Sequence, residues 1–268
     1  MKKAHLLRLA LGLALGLLSI PAGARADDAA PAAAPDKAAP TPYPDPHNES
    51  AWPGRGVIRC FPWMTDNRNF FWTQRAATQG AVVIGGDSLM GNWGYDYGSL
   101  KAKYFPSFTN LKFVNRGVGG DVSRGLLFRF QEDLLDLHPR AVVILIGSND
   151  LSAKENTDDA ISNINAMIDL AQKQDPAMPV IVCTVPPRNS PEAPIDHNEL
   201  VGLNDKIRKL ADGKSQVHIL DLYPLFVSAD GVQPDPQYFR KDLLHFGPDG
   251  YTKLGQEVGK LLTSLNIQ

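Results

Sequence analysis

The chain has 268 residues, of which 43% are hydrophobic and 21% charged. This is an ordinary globular composition, so a wholly disordered or fibrous protein is excluded, and the length suits one α/β domain with additional segments. A formal net charge of −2 offers no basic surface for nucleic acid, and two cysteines are too few for a disulfide scaffold.

The first 26 residues have the three-part pattern of a secretory signal peptide. Lys2, Lys3 and Arg8 precede an uncharged apolar run over residues 9–20, and Ala24-Arg25-Ala26 fits a small-x-small cleavage site. That run is shorter than the ~20 residues of a spanning helix, although an uncleaved anchor or a buried helix remain alternatives. We therefore expect residues 1–26 to be removed, a periplasmic or secreted protein, and no stable membrane insertion after cleavage.

The segment that follows is rich in alanine and proline and has no apolar periodicity. Such a segment buries too little surface to offset its ordering entropy, so residues 27–50 are predicted to form a flexible tether. Residues 51–268 are predicted to form a single domain. Its two cysteines, Cys60 and Cys183, could pair in an exported protein, but Cys183 lies in an apolar run that equally suits a buried free thiol.

Apolar runs alternate with segments of helical periodicity along this domain. A helix is expected over residues 66–79, and further helical faces recur between the strands, the last beginning at Pro248. Uninterrupted Val/Ile-rich runs are typical of parallel strands that are covered on both faces. The five predicted strands are Ala81–Gly85, Leu111–Asn115, Ala141–Ile146, Val180–Val185 and Val217–Leu222. The alternation predicts a five-stranded, doubly wound parallel α/β sheet.

Unusual residues follow the strands, where ligands bind in such sheets. Gly86-Asp87-Ser88-Leu89 follows the first strand, and Asn115-x-Gly-x-Gly-Gly-Asp121 follows the second. Gly147-Ser148-Asn149-Asp150 follows the third, while Asp242-x-x-His245 precedes the last helix. All four stretches are therefore expected at one edge of the sheet.

Together these residues supply the groups that acyl transfer requires. The Ser88 hydroxyl is a weak nucleophile that needs a base. His245 could be that base, because histidine is the residue type that gains and loses a proton near neutral pH. Asp242 could orient that imidazole, as the acid does in catalytic triads. The backbone N–H groups of Ser88 and Gly120 and the side-chain amide of Asn149 could stabilise an oxyanion.

These four blocks resemble those of the SGNH, or GDSL, hydrolases from about Val82 to the carboxyl end. The resemblance implies a flavodoxin-like three-layer α/β/α sandwich, with Ser88 as nucleophile and His245 and Asp242 as its partners. It also implies an oxyanion hole formed by Ser88, Gly120 and Asn149, and no metal or organic cofactor.

The arrangement is most similar to the catalytic-subunit type of platelet-activating-factor acetylhydrolase Ib. A helical segment precedes the first strand in both, and the Gly-Val-Gly-Gly-Asp block is alike. Acetyl-specific polysaccharide esterases share much of this pattern, and the signal peptide departs from the intracellular members. The sequence thus predicts an exported serine esterase whose partner is a small-molecule or glycan ester, with short acyl groups preferred.

Aromatic residues near these blocks are candidates for the substrate pocket. Trp93 lies five residues after Ser88, and Tyr238 and Phe239 shortly precede Asp242. Trp52, Trp63 and Trp72 instead precede the sheet and are expected to cover one edge of the core.

Other functions remain open at the level of sequence. A lysophospholipase or acyl thioesterase would use the same groups. Asp87, Asp121 and Asp150 all follow strand ends and could gather around Mg²⁺ in a metal-dependent phosphohydrolase, although hydrogen bonds to loop N–H groups are their more common role. An exported, non-catalytic binding module is a further alternative.

Overall fold

Secondary structure forms where the apolar runs predict it. The computed structural model describes residues 37–94, 100–154 and 156–268, so the predicted signal peptide and the first part of the tether lie outside the described residues. The strands are β1 (Val82–Gly86), β2 (Phe113–Gly117), β3 (Ala141–Leu145), β4 (Val180–Cys183) and β5 (Val217–Leu220).

The five strands form one parallel sheet in the order β2-β1-β3-β4-β5. Val82 of β1 is in register with Phe113 of β2 and with Ala141 of β3. All residues of β1, β3 and β4 are buried, as expected of strands covered by helices on both faces. The predicted parallel α/β sheet is confirmed, with strand ends that differ from the predicted ones by one or two residues.

Helices connect these strands, and several begin at residues with a clear capping role. Asn156 and Asp196 each accept a hydrogen bond from a backbone N–H two residues later, and Pro248 occupies the first turn of the last helix. The helices are α1 (Pro62–Thr73), α2 (Ser88–Gly91), α3 (Leu100–Tyr104), α4 (Ser123–Arg129), α5 (Ser148–Ser152), α6 (Thr157–Gln174), α7 (His197–Arg208), α8 (Tyr223–Phe226) and α9 (Pro248–Ser264).

The helix before the sheet differs from its predicted range of 66–79. It starts at Pro62 and ends at Thr73. Proline suits the first turn because an N–H at that position would have no partner within the helix. Met64, Arg68 and Phe71 form its buried face. Trp63 is 48% exposed, so the expectation that it covers the core is wrong for this tryptophan, whereas Trp52 is buried.

The segment 37–50 is not a free tether, contrary to the prediction for its part of residues 27–50. Thr41 donates hydrogen bonds to Glu132 through its backbone N–H and its hydroxyl, at 2.9 and 2.6 Å. The Tyr43 ring packs 5.7 Å from the Trp52 ring and 5.3 Å from that of Phe128. This part of the segment gains aromatic contacts that offset its ordering entropy.

Neither cysteine is bridged, and Cys183 is buried in β4. Within the described ranges, no helix combines the length and the apolar character needed to cross a membrane.

Candidate active site

Ser88 lies at the carboxyl end of β1, where the chain turns sharply into α2. Gly86 has a φ of +151°, and a Cβ there would overlap the Leu145 carbonyl oxygen of the neighbouring strand. Asp87 caps α2 by accepting a hydrogen bond of 2.8 Å from the Leu89 N–H. Because the first N–H groups of a helix have no partner within it, the Ser88 N–H is available at this turn.

His245 and Asp242 approach Ser88 from the other end of the chain. His245 Nε2 lies 2.9 Å from Ser88 Oγ, and His245 Nδ1 lies 2.7 Å from Asp242 Oδ2. Since a carboxylate only accepts hydrogen bonds, the Nδ1–H donates to Asp242 and Nε2 is left to accept the Ser88 hydroxyl proton. The structure thus brings Ser88 into contact with a pair of residues that lies more than 150 positions further along the sequence.

The turn that carries Asp242 and His245 is fixed by its own backbone. Phe239 and Phe246 form an antiparallel bridge, and the Arg240 N–H donates 2.7 Å to the His245 carbonyl. Leu243, at the tip, has a φ of +50°, and its carbonyl accepts a 2.9 Å hydrogen bond from the Asn189 N–H. The positions of the acid and the imidazole therefore do not depend on neighbouring side chains alone.

Ionisation of Asp242 is favoured by the same turn. Burial alone would raise its pKa, but hydrogen bonds from His245 and from the backbone N–H groups of His245 and Leu244 lower the pKa below its ordinary value. Both backbone N–H groups lie 3.0 Å from Asp242 Oδ1. Asp242 is thus held as a carboxylate facing the ring.

The loop after β2 lies against the serine. A Cβ built on Gly119 would come 3.9 Å from Ser88 Cβ, and Gly120 has a φ of +83°, which favours glycine. The Asn149 side-chain amide donates 2.9 Å to the Asp121 carbonyl, which uses one of its two N–H groups. The hydrogen bond thus ties Asn149, in the first turn of α5, to the loop after β2 that carries Gly120.

The three aspartates that follow strands are engaged in shaping this region. Asp121 accepts 2.9 Å from the buried Arg129 Nε, and Asp150 accepts from the Ser123 hydroxyl and N–H. Burial raises the pKa of Asp87 to about 7 and that of Asp121 to about 6. Among the described residues, no group of three or more His, Cys, Asp or Glu side chains is placed to hold a metal ion.

Two arginines support the site and were missed from the sequence. Arg129 donates 2.7 Å to the Arg116 carbonyl and 3.2 Å to the Gly86 carbonyl, which joins the ends of β1 and β2. Arg188 donates 2.8 Å to the Ser148 carbonyl and 2.7 Å to its hydroxyl, next to Asn149. Their partners are mostly backbone carbonyls, which carry no sequence signal.

The prediction that Trp93 lines the substrate pocket is wrong. Its side chain has no exposed surface and packs with the rings of Tyr104, Phe105 and Tyr251 in the core. α2 is only one turn long and directs the chain inward, and Asn115 anchors the Trp93 carbonyl at 2.7 Å.

Tyr238 and Phe239 lie in an aromatic cluster beneath the Asp242 turn. The Phe239 ring stacks 5.2 Å from that of Phe246, and the Tyr238 ring packs 5.5 Å from that of Phe226. Phe239 is 6% exposed. It therefore supports the turn from below, and its low exposure makes it a poor candidate for contact with substrate.

The fold and the order of the four blocks define a class of hydrolase. The family model described as the GDSL-like lipase/acylhydrolase family matches residues 85–253, which is more than half of the chain. The chain belongs to this family, and it is accordingly a serine ester hydrolase.

Similar proteins lie in the same family. The platelet-activating factor acetylhydrolase IB subunit alpha1 of Rattus norvegicus is 30% identical over 60% of this chain and 68% of its own length. A GDSL-like lipase structure from Bacteroides thetaiotaomicron matches with a TM-score of 0.63 at 25% identity, covering 73% of this chain and 96% of that one. The acetyl xylan esterase AlAXEase matches with a TM-score of 0.53 at 22% identity, covering 67% of this chain and 98% of that one. The predicted SGNH fold is confirmed.

Proposed function

We propose that this protein is an exported esterase that removes short acyl groups, acetyl above all, from a carbohydrate or another small alcohol. The observation that carries the proposal is the chain of contacts from Ser88 Oγ to His245 Nε2 at 2.9 Å and from His245 Nδ1 to Asp242 Oδ2 at 2.7 Å. Such a chain activates a serine hydroxyl for attack on a carbonyl.

The proposed reaction has two halves. Ser88 Oγ attacks the ester carbonyl carbon while His245 Nε2 takes the hydroxyl proton, and the carbonyl oxygen becomes an oxyanion that accepts hydrogen bonds from Ser88 N–H, Gly120 N–H and the Asn149 amide. His245 then gives its proton to the leaving alcohol as the C–O bond breaks, which leaves an acyl-Ser88. Water then attacks the acyl carbon while His245 Nε2 takes one of its protons. The bond from Ser88 Oγ to that carbon breaks, His245 returns the proton to Oγ, and the carboxylic acid is released.

Replacement of the nucleophile tests the proposal directly. Ser88→Ala is expected to abolish turnover of p-nitrophenyl acetate without lowering the melting temperature, because the hydroxyl is not part of the core. A fluorophosphonate probe should label the wild-type chain at Ser88. The exposed Ser264→Ala in α9 is the matched control and should retain activity and labelling.

Other outcomes of these experiments would favour other functions. Retained turnover in Ser88→Ala would remove Ser88 from the mechanism. Activity that is lost to EDTA, with no labelling, would favour a metal-dependent phosphohydrolase, and neither activity nor labelling would favour a binding module.

The acyl preference is tested separately. The rat relative is named an acetylhydrolase and a protein of the same fold is named an acetyl xylan esterase. We expect the specificity constant in a series of p-nitrophenyl esters to be highest at acetate. A maximum at octanoate or a longer ester would favour a lysophospholipase or long-chain acyl thioesterase instead.

Export is proposed from residues 1–26 alone. Sequencing the amino terminus of the mature protein should find Asp27 first, in the periplasmic or extracellular fraction. A chain that keeps Met1 and stays in the cytoplasm would contradict this part of the proposal.

A further inference from the structure

A pair of stacked aromatic rings, one half-buried and one exposed, lies at the edge of the candidate active site. The rings of Phe61 and Trp63 stack with centroids 4.5 Å apart and planes 15° from parallel. Trp63 is 48% exposed, although large aromatic side chains usually bury most of their surface. This pair, Phe61 and Trp63, is called the aromatic platform below.

The aromatic platform is held directly against the loop beside Ser88. Trp63 Nε1 donates a 2.9 Å hydrogen bond to the Gly119 carbonyl. A Cβ on Gly120 would lie 3.3 Å from the Phe61 ring, and one on Gly119 would lie 3.9 Å from Ser88 Cβ. Gly119 and Gly120 therefore contact the platform on one side, and Gly119 lies next to the nucleophile.

One flat surface of the platform is open to solvent. Phe61 covers one face of the Trp63 indole, and the N–H edge faces Gly119. An exposure of 48% then leaves the opposite face of the indole as the main open surface. The hydrogen bond and the stacked ring fix the orientation of that face, so a ligand need not order it on binding.

Two polar residues lie next to Trp63 on the surface of α1. Asp66 and Asn67 lie three and four residues after Trp63, so they are its neighbours on the helix surface. The Asn67 amide donates 2.7 Å to the Trp63 carbonyl. Phe70, 58% exposed, continues the same face seven residues on, about 10 Å along the helix axis.

This combination fits a sugar ring better than an acyl chain. A pyranose presents C–H groups on its faces, which pack on an aromatic ring, and hydroxyl groups around its edge, which need polar partners. Asp66 and Asn67 supply a carboxylate and an amide one helical turn from Trp63. An acyl chain has no use for those groups, and the platform carries no basic side chain for an anionic lipid surface.

We propose that the aromatic platform binds a sugar ring on the alcohol side of the ester substrate and so selects acetylated glycans over other acetate esters. This inference rests on the proposed esterase function and specifies its substrate class. Phe70 extends the same surface toward a neighbouring sugar of a linear chain.

Two variants of one residue separate stacking from the hydrogen bond to Gly119. Trp63→Ala removes both, whereas Trp63→Phe keeps a flat ring and loses only the N–H donor. The readout is the ratio of the specificity constant for partially acetylated xylotetraose to that for p-nitrophenyl acetate, because damage to the Gly119 loop would lower both constants together. Trp72→Ala, on another face of α1, is the matched control.

The expected result is a fall of that ratio by at least tenfold in Trp63→Ala, mostly through KM, and by less than threefold in Trp63→Phe and Trp72→Ala. Unacetylated xylotetraose should bind to Ser88→Ala and not to the Ser88→Ala/Trp63→Ala double variant in calorimetry. Failure of the wild type to hydrolyse p-nitrophenyl acetate would instead count against the proposed function itself.

Three results would overturn the inference while leaving the esterase function intact. The first is an equal loss on both substrates in Trp63→Ala. The second is rapid turnover of the aryl acetate with none of the tetrasaccharide. The third is binding to phosphatidylcholine vesicles that is lost in Trp63→Ala, which would make the platform a lipid-binding surface.

Discussion

Among the described residues, the Asn149 side-chain amide donates one hydrogen bond, which leaves its second N–H available. That bond goes to the Asp121 carbonyl at 2.9 Å and fixes the orientation of the amide. Asn149→Ala is expected to lower kcat by about 10²–10³-fold, as loss of an oxyanion donor does elsewhere. Steady-state kinetics with p-nitrophenyl acetate measure this, and a change below threefold would remove Asn149 from the oxyanion hole.

Asp87 should make stability depend on pH. Burial raises its pKa to about 7 in the folded protein, compared with an ordinary value of 3.8. Between these values the folded state holds a proton that the unfolded chain releases, so the free energy of unfolding falls as the pH rises from about 4 to 7. We expect Asp87→Asn to make this decline shallower, because Asn does not titrate and its oxygen can still cap α2.

Urea denaturation across this pH window provides the measurement. Asp121 and Asp150 have raised pKa values as well, so part of the decline should remain in Asp87→Asn. The exposed Asp169→Asn in α6 serves as the control, and an equal slope in the wild type and Asp87→Asn would contradict the assignment.

At the scale of elements, one buried arginine joins the strand ends that carry the site. Arg129 ends α4, pairs with Asp121 at 2.9 Å and donates to the carbonyls of Arg116 and Gly86. Arg129→Met is expected to lower the free energy of unfolding by about 3–5 kcal/mol, because it leaves the Asp121 carboxylate buried and unpaired.

A double variant tests whether the stranded charge causes that loss. Adding Asp121→Asn to Arg129→Met should recover part of the stability in chemical denaturation. The exposed pair of Lys260 and Glu257 provides the comparison, since Lys260→Met should cost no more than about 1 kcal/mol. If the double variant recovered no stability, the loss would instead come from the hydrogen bonds that Arg129 donates to backbone carbonyls.

The strands could be predicted from the sequence, whereas the side-chain contacts between distant elements could not. β1, β3 and β4 are uninterrupted apolar runs, which are typical of parallel strands that are covered on both faces. The placement of Trp93 could not be predicted, because its neighbours Tyr104 and Tyr251 come from α3 and α9. Trp93 lies five residues after Ser88, but this spacing does not reveal the direction in which α2 turns the chain.

At the scale of the whole molecule, the segment before α1 is part of the folded domain. Tyr43 packs between Trp52 and Phe128, and the Arg68 guanidinium lies 5.0 Å from its ring. Tyr43→Ala is expected to reduce the free energy of unfolding by about 1–3 kcal/mol through loss of apolar burial.

Tyr43→Phe separates the ring from its hydroxyl. That hydroxyl is buried and has no hydrogen-bond partner among the described residues, so its removal should leave stability unchanged or slightly higher. Urea denaturation of both variants is the measurement. If Tyr43→Ala were as stable as the wild type, the segment would contribute nothing to the domain.

The contacts of residues 37–50 also show why composition alone did not predict the structure of this segment. Alanine and proline predict a tether, and the partners that hold residues 37–50 lie up to 95 positions away, as the bond from Lys37 to Glu132 illustrates. The site itself was easier to predict, since Ser88, Asn149 and the Asp242–His245 pair each follow a recognisable turn. The arginines behind it bind several backbone carbonyls, and such contacts leave no pattern in the sequence.

The turn between Phe239 and Phe246 keeps its shape through main-chain hydrogen bonds. Lys241 is exposed and Leu244 half-exposed, so their side chains can be exchanged without displacing the acid or the imidazole. Leu243 is different, because its positive φ favours glycine or asparagine at that one position. Variation at 241 and 244 is therefore a route by which related enzymes could acquire new alcohol preferences while their proton-transfer geometry stays the same.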